Sequence, residues 1–223
     1  MKYTKEQVAR LIDISAVRSD SSLDDVNKVI EAAKEYNLIC LFALPSFVDY
    51  VVEKMEGYPS IEIGGVVGFP SGGDTTTMKL AQATELKAKG CTEIDMVMNI
   101  GKLKSGDFQY VREDIAQIKA AVAPLPLKVI IEVAVLTDDE IIEAAKIVRD
   151  GGADYVKTGT GWCGSTTLEH IKLIKQSVGE SIKLKVAGGV RDLETLATMH
   201  QMGVARFGIG YKSVLDIMAK CDE

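Results

Sequence analysis

The sequence predicts an α/β protein folded as a single (β/α)8 barrel, the TIM-barrel architecture, over residues 1–223. Short β-rich runs alternate with stretches whose apolar residues recur at helical spacing, a pattern typical of parallel strands covered by helices. Eight such units fit in 223 residues at about 28 residues each. An open, doubly wound sheet is the alternative, but no Walker phosphate loop supports it.

Eight short runs rich in β-branched and other apolar residues are the predicted strands. In chain order they are Ile12–Ser15, Leu38–Ala43, Ile63–Gly68, Glu93–Asn99, Lys128–Val133, Tyr155–Gly159, Lys183–Ala187 and Arg206–Gly210. No low-complexity tract, charge block or linker interrupts this series. The sequence therefore indicates one barrel domain.

The stretches between these strands carry helix signals. Across Asp24–Tyr36 the apolar residues recur every three or four positions, as on one face of a helix, and Ser22 is a suitable N-cap. Other helices are expected to end near Gly90, Gly152 and Gly203, because the left-handed backbone at a helix end favours glycine. Each of these glycines comes just before a predicted strand.

The charge balance argues against a nucleic-acid partner. The chain has 26 Lys and Arg against 32 Asp and Glu, a net charge of −6, so it offers no overall basic surface to a phosphodiester backbone. The first residues lack the apolar run of a secretory signal, and the longest apolar stretch, 38–45, is too short to cross a bilayer. We expect a cytoplasmic protein with no membrane partner.

Histidine and cysteine are too scarce for a typical metal enzyme. The chain has two histidines, and its four cysteines form no Cys-x-x-Cys pair. This composition does not favour a zinc site, a disulfide framework or a serine triad. We therefore expect no metal or other cofactor, and the chemistry must depend on Lys, Asp, Glu or backbone groups.

Three predicted strands carry charged residues where apolar ones are the rule. Asp95 lies within the fourth strand, Lys157 within the sixth, and Lys185 near the carboxyl end of the seventh. The active site of such a barrel lies at the carboxyl ends of its strands, and a charge facing the interior costs several kcal/mol unless it is paired. These three residues are therefore candidate site residues, with a structural ion pair or outward-facing side chains as the alternative.

Two lysines and one carboxylate in a confined site suit one kind of catalysis. Desolvation and a neighbouring cation lower the pKa of an amine, and the neutral amine can attack a carbonyl. The resulting iminium accepts electrons from a breaking C–C bond, which is the chemistry of metal-free class I aldolases. The spacing alone leaves open which lysine is the nucleophile.

Glycine-rich turns after the last three strands indicate a phosphate site. Backbone N–H groups in such turns bind phosphate in many barrels. The predicted phosphate-binding residues are Gly161, Gly188, Gly189, Gly210, Lys212 and Ser213. The loop 68–77 also resembles a phosphate loop, but it lacks the Lys-Ser/Thr ending and is better explained as a tight turn capping the next helix.

The motifs resemble those of the deoxyribose-phosphate aldolase family over nearly the whole chain. The longest match covers residues 66–77 and continues over 93–107, while 155–161 and 185–190 resemble the family's two lysine motifs. The family joins acetaldehyde to D-glyceraldehyde 3-phosphate, giving 2-deoxy-D-ribose 5-phosphate reversibly. The resemblance therefore implies a small phosphorylated sugar or an aldehyde as the substrate, and a homodimer as the expected assembly.

The resemblance also assigns roles to single residues. Lys157 matches the Schiff-base lysine, Lys185 the cation that lowers its pKa, and Asp95 the proton-relay carboxylate. Asp13, in the first predicted strand, matches an acidic position near the same site.

Two loops depart from the family pattern. After the sixth strand, Gly159 and Trp162 stand where the family usually has Ser and Phe, and residues 210–214 replace a Gly-Thr-Ser-Ser-Gly turn. These changes leave open a Schiff-base aldolase for another phosphorylated sugar. A sugar-phosphate isomerase with Asp95 or Glu132 as base, and a barrel that binds sugar phosphates without turnover, are further alternatives.

Overall fold

The barrel predicted from the sequence is the fold of the protein. A computed structural model describes residues 3–222, in which eight parallel strands pair in chain order and the first strand closes on the eighth. The strands are β1 (Ile12–Ala16), β2 (Cys40–Ala43), β3 (Glu62–Val67), β4 (Glu93–Val97), β5 (Leu127–Ile130), β6 (Tyr155–Lys157), β7 (Lys183–Ala187) and β8 (Arg206–Gly210). This closed parallel sheet confirms the (β/α)8 architecture.

Helices join the strands and cover the outside of the barrel. They are α1 (Lys5–Ala9), α2 (Leu23–Tyr36), α3 (Val48–Lys54), α4 (Thr76–Ala88), α5 (Ile100–Lys104), α6 (Phe108–Val122), α7 (Asp138–Asp150), α8 (Leu168–Val178), α9 (Leu193–Gln201) and α10 (Tyr211–Met218). Within residues 3–222, none of them has the length and apolar content needed to span a bilayer.

The predicted capping signals are confirmed. Ser22 accepts a hydrogen bond from the backbone N–H of Asp25 in a capping box at the start of α2. Gly90, Gly152 and Gly203 have φ values of 103°, 81° and 89°, the left-handed backbone that these helix ends require.

Four strands, β3 to β6, end earlier than the sequence predicts. After β4 and β5, a polar residue leaves the ladder. Asn99 accepts a hydrogen bond from the N–H of Lys102 and caps α5, so β4 ends at Val97. Glu132, with a left-handed φ of 57°, turns the chain away after β5. These exits place polar side chains at the mouth of the barrel.

Gly64 in β3 makes room for an aromatic ring inside the barrel. A Cβ atom at this position would lie 2.1 Å from Cε1 of Phe42, closer than atoms can pack. The ring of Phe42 occupies that space, and its centroid lies 4.2 Å from Nζ of Lys185. The glycine therefore lets Phe42 form an apolar wall beside the buried lysines.

A buried ion pair also joins two helices outside the barrel. Nζ of Lys79 on α4 donates a 2.7 Å hydrogen bond to Oδ2 of Asp114 on α6, and both side chains are completely buried. Removing one member of such a pair leaves an uncompensated charge in a low-dielectric environment.

Asp114→Ala is expected to lower the free energy of unfolding by about 3–5 kcal/mol, because the Lys79 ammonium loses its counter-charge. The double variant Lys79→Met/Asp114→Leu removes both charges and should recover most of that loss. Urea unfolding followed by circular dichroism measures both changes. A single variant as stable as the unsubstituted protein would contradict the expectation.

Candidate active site

One carboxylate oxygen joins the two lysines that the sequence singles out. Oδ2 of Asp95 accepts a 2.7 Å hydrogen bond from Nζ of Lys157 and another of 2.7 Å from Nζ of Lys185. Asp95 is completely buried, Lys185 is 1% exposed and Lys157 is 7% exposed. The structure therefore brings these three predicted residues together as one cluster.

Neighbouring strands produce this arrangement. Lys157 at the end of β6 is opposite Lys185 in β7, so the two side chains start side by side on adjacent strands. Asp95 projects from β4, and Asp13 reaches from β1 to place Oδ2 at 2.6 Å from Nζ of Lys185. The fourth predicted residue, Asp13, thus belongs to the same cluster.

Three further charged side chains extend the cluster below the cavity. Arg206 donates hydrogen bonds to Oδ1 of Asp13 and to Oε1 of Glu93, the second at 2.7 Å. Nζ of Lys128 lies 2.5 Å from Oε2 of Glu93 and 3.6 Å from Oδ1 of Asp95. All three residues are buried.

The environment of Lys157 favours its neutral amine. The pKa of Lys157 is lowered to about 8, chiefly by burial and also by Lys185, while Asp95 and Asp13 oppose the shift. Burial alone would raise the pKa of Asp95, but Lys157, Lys185 and Lys128 together hold it well below its usual range. An amine with a pKa near neutrality is a competent nucleophile, while the carboxylate stays ionised.

Asp13, Lys128 and Arg206 stay charged. Burial would raise the pKa of Asp13, but Lys185, Lys128 and Arg206 lower it below its usual value. Burial opposes the charge of Lys128 and of Arg206, yet the surrounding carboxylates raise the pKa of both. The shifts of Lys157 and Lys128 are thus opposite in direction, and the pKa of Lys157 is the one that moves toward neutrality.

A cavity of about 460 Å³ opens at the carboxyl ends of the strands and reaches Lys157 and Lys185. Phe42, Phe69 and Trp162 are the large aromatic rings in its lining besides Tyr211. The rings of Phe69 and Trp162 meet edge to face with centroids 5.8 Å apart. The Phe42 ring lies beside the amines, with its centroid 4.2 Å from Nζ of Lys185 and 5.8 Å from Nζ of Lys157.

The cavity lining also has a polar, glycine-rich part. Five of the six predicted phosphate-site residues line it, namely Gly161, Gly188, Gly189, Gly210 and Ser213. Lys212 is exposed and is not among the lining residues. Three other cations line the cavity, namely Arg18, Lys28 and Arg191.

Two of these cations already have carboxylate partners. Arg18 pairs with Asp20, and Lys28 pairs with Asp24. Arg191 makes no ion pair with any residue between 3 and 222, and it lies two residues after Gly189. It is therefore the cation best placed to meet an anionic group of a ligand there.

Glu132, the alternative base, lies beside the cluster but is held by other groups. Its Oε2 accepts hydrogen bonds from the backbone N–H and the hydroxyl of Thr160, in the loop that follows Lys157. The carboxylate thereby fixes the turn that carries Gly161 and Trp162. Its observed contacts are those of a group that shapes the loop.

One group of side chains has the spacing of metal ligands. Within the described chain, ligand atoms of Asp13, Cys40 and Glu93 lie within 4.8 Å of one another. Arg206 already bridges the two carboxylates, and burial raises the pKa of the Cys40 thiol well above its usual value. The two carboxylates thus already have the Arg206 guanidinium as their cationic partner, and the protonated thiol is a poor metal ligand.

Sequence reasoning missed Glu93, Lys128 and Arg206 as members of the site. Each lies at or next to the amino end of its strand, and Glu93 points to the same side of β4 as Asp95. The sequence did carry a signal for Glu93: it lies two positions before Asp95, so both side chains point to the same side of the strand.

Fold and site together define a barrel aldolase, an enzyme that makes or breaks a C–C bond beside a carbonyl. Comparison with known proteins gives the family, since residues 8–220 match the family described as DeoC/LacD family aldolase. The chain belongs to this family, and it is an aldehyde-lyase.

Relatives and solved structures agree with this assignment. The chain is 48% identical to a deoxyribose-phosphate aldolase of Sinorhizobium medicae, covering 96% of this chain and 87% of that protein. It is 39% identical to one from Klebsiella pneumoniae, covering 100% and 91%. The solved structure of the aldolase QR15 superposes with a TM-score of 0.88 at 31% identity, covering 95% of this chain and 94% of that one.

Reductive methylation of Lys157 should reach its half-maximal rate near pH 8, because the neutral amine reacts and its pKa is lowered to about 8. Exposed lysines, with pKa values near about 10.4, should still be gaining reactivity above that pH. Peptide mass spectrometry of protein labelled between pH 6 and pH 10 gives both curves. A Lys157 curve that coincides with those of the exposed lysines would refute the assigned environment.

Proposed function

We propose that this aldolase reversibly cleaves 2-deoxy-D-ribose 5-phosphate into acetaldehyde and D-glyceraldehyde 3-phosphate through a Schiff base on Lys157. The observation that carries the proposal is the amine of Lys157, which faces the cavity while its charge is disfavoured by burial. The related deoxyribose-phosphate aldolases support this choice of substrate.

The contacts of the two lysines favour Lys157 as the nucleophile. Lys185 holds two carboxylates, Asp13 at 2.6 Å and Asp95 at 2.7 Å, whereas Lys157 contacts Asp95 alone. Two counter-charges stabilise the ammonium of Lys185 more than one stabilises that of Lys157. Lys185 therefore acts as the fixed cation, and Lys157 gives up its proton.

The reaction follows from these roles. Nζ of Lys157 adds to the aldehyde carbon C1 of the open-chain sugar, and loss of water gives the iminium. Removal of the proton from the C3 hydroxyl breaks the C2–C3 bond, releases D-glyceraldehyde 3-phosphate and leaves an enamine. Protonation of C2 and addition of water then release acetaldehyde and restore the amine.

Asp95 is the carboxylate placed to move these protons. When Lys157 becomes neutral, Oδ2 of Asp95 loses one of its two ammonium partners, so its proton affinity rises at the moment a proton must be accepted. A water molecule relays protons between Asp95 and the substrate in this proposal.

The polar, glycine-rich part of the cavity lining is the proposed phosphate subsite. Gly161, Gly188, Gly189 and Gly210 bring backbone to the cavity surface, and Ser213 adds a hydroxyl. Arg191 supplies a guanidinium, which suits the geometry of a phosphate group. Lys212 remains a predicted member of this subsite that attracts the anion from the exposed rim.

The isomerase alternative is less well supported. Asp95 carries two ammonium contacts and a strongly lowered pKa, which make it a weak base toward a carbon acid. Glu132 is engaged by Thr160. The lowered pKa of Asp95 is the opposite of what proton abstraction from carbon favours.

Assembly and location remain predictions of the sequence. We propose that the protein is a homodimer in the cytoplasm, with the phosphorylated sugar as its small-molecule partner. Light scattering of the purified protein measures the assembly directly.

Lys157→Ala should lower turnover at least about 1000-fold, because no other amine replaces the attacking group. Borohydride added with acetaldehyde should leave an ethyl group on Lys157 in the unsubstituted protein and none at that site in the variant. Lys172→Ala, which removes an exposed lysine of α8, is the matched control and should keep the adduct. Trapping on another lysine would overturn the assignment.

Arg191→Ala should raise KM for 2-deoxyribose 5-phosphate about tenfold or more and leave unphosphorylated 2-deoxyribose nearly unaffected, because only the first carries the anion. Lys212→Ala is expected to give the same selectivity with a smaller effect, because Lys212 does not line the cavity whereas Arg191 does. Steady-state kinetics with both sugars measure the two effects. An equal loss for both sugars would remove the phosphate assignment.

A further inference from the structure

Six buried side chains form a closed ring of alternating charge inside the barrel, which we call the charge ring. Following the salt bridges in order, it contains Asp95, Lys185, Asp13, Arg206, Glu93 and Lys128, and Lys128 closes back on Asp95. Five strands contribute to it, because only Asp95 and Glu93 share a strand.

The ring is neutral by composition. Its three carboxylates balance three cations, and none of the six is more than 6% exposed. Lys157 is attached to this ring through Asp95 as a seventh ionisable group. With Lys157 as an amine the buried set carries no net charge, and with Lys157 as an ammonium it carries one positive charge, which burial penalises.

We propose that Arg206 and Glu93 are positioning residues whose opposite charges keep the ring neutral and so govern the ionisation of Lys157. They do not line the cavity, so their influence reaches the amine through Asp13, Lys185, Lys128 and Asp95. The inference deepens the proposed function, because it rests on Lys157 as the reacting amine.

The charged groups near Lys157 come from several strands of the barrel. Lys185 of β7, Asp95 of β4 and Asp13 of β1 act on it directly, and the Phe42 ring of β2 lies 5.8 Å from its Nζ. Lys128 of β5 lies 3.6 Å from the other oxygen of the Asp95 carboxylate. Beyond β5, the Glu132 carboxylate is turned to Thr160. Arg206 and Glu93 are the members of the ring with no place in that inner layer.

The charge balance of the ring predicts opposite shifts of the Lys157 titration when Arg206 or Glu93 is neutralised. Arg206→Met removes a cation, leaves the ring with one excess negative charge and stabilises the ammonium of Lys157. Glu93→Gln removes an anion and favours the amine. The pH midpoint of Lys157 labelling should rise by about half a unit or more in the first variant and fall by a similar amount in the second.

The test is reductive methylation of Lys157 against pH, read by peptide mass spectrometry in the whole protein. The double variant Arg206→Met/Glu93→Gln restores neutrality and should return the midpoint to that of the unsubstituted protein, as should Arg206→Lys. Lys79→Met removes an equally buried cation whose partner, Asp114, lies outside the ring, so it should leave the midpoint unchanged.

Shifts in the same direction for both single variants, or no shift in either, would overturn the proposal. If Arg206→Met does not fold, Glu93→Gln decides alone, because its unchanged midpoint would refute the inference and a lowered one supports it. The labelling midpoint is measured without turnover, so it tests the charge ring alone. The proposed function is tested separately, because it would be rejected if borohydride trapped no acetaldehyde on Lys157.

Discussion

A single carboxylate oxygen shared by two ammonium groups is the interaction on which this site depends. Oδ2 of Asp95 lies 2.7 Å from both lysine nitrogens, so the loss of one proton changes the partners of all three groups. Burial makes that change matter, because charges in a low-dielectric interior are stabilised chiefly by each other. The lysine with fewer counter-charges is the one that can become neutral.

Closure of the barrel makes this arrangement possible. Asp13 and Lys185 are far apart in sequence, yet the pairing of β1 with β8 and of β7 with β8 brings their strands within one neighbour of each other. Local packing refines the result, because Gly64 admits the Phe42 ring beside the amines. The chemistry at the mouth therefore depends on backbone pairing at every strand of the sheet.

Much of the fold can be predicted from the sequence, because local periodicity and capping residues determine where each strand and helix lies. The strand ends are harder to predict, because Asn99 leaves the ladder to cap the next helix and Glu132 leaves it to bind Thr160 in another loop. Within the site, Asp95, Lys157 and Lys185 are visible as charges in apolar strands. Arg206 is not, since only the closed barrel shows that its guanidinium meets two carboxylates from different strands.

Trp162 gives the cavity a property unrelated to its chemistry. It is the one tryptophan in 223 residues, its side chain lies at the mouth against Phe69, and it is 43% exposed. All indole fluorescence of the protein therefore originates from that one spot. A sugar that displaces solvent there alters the emission, so occupancy can be followed optically without a label or a coupled assay.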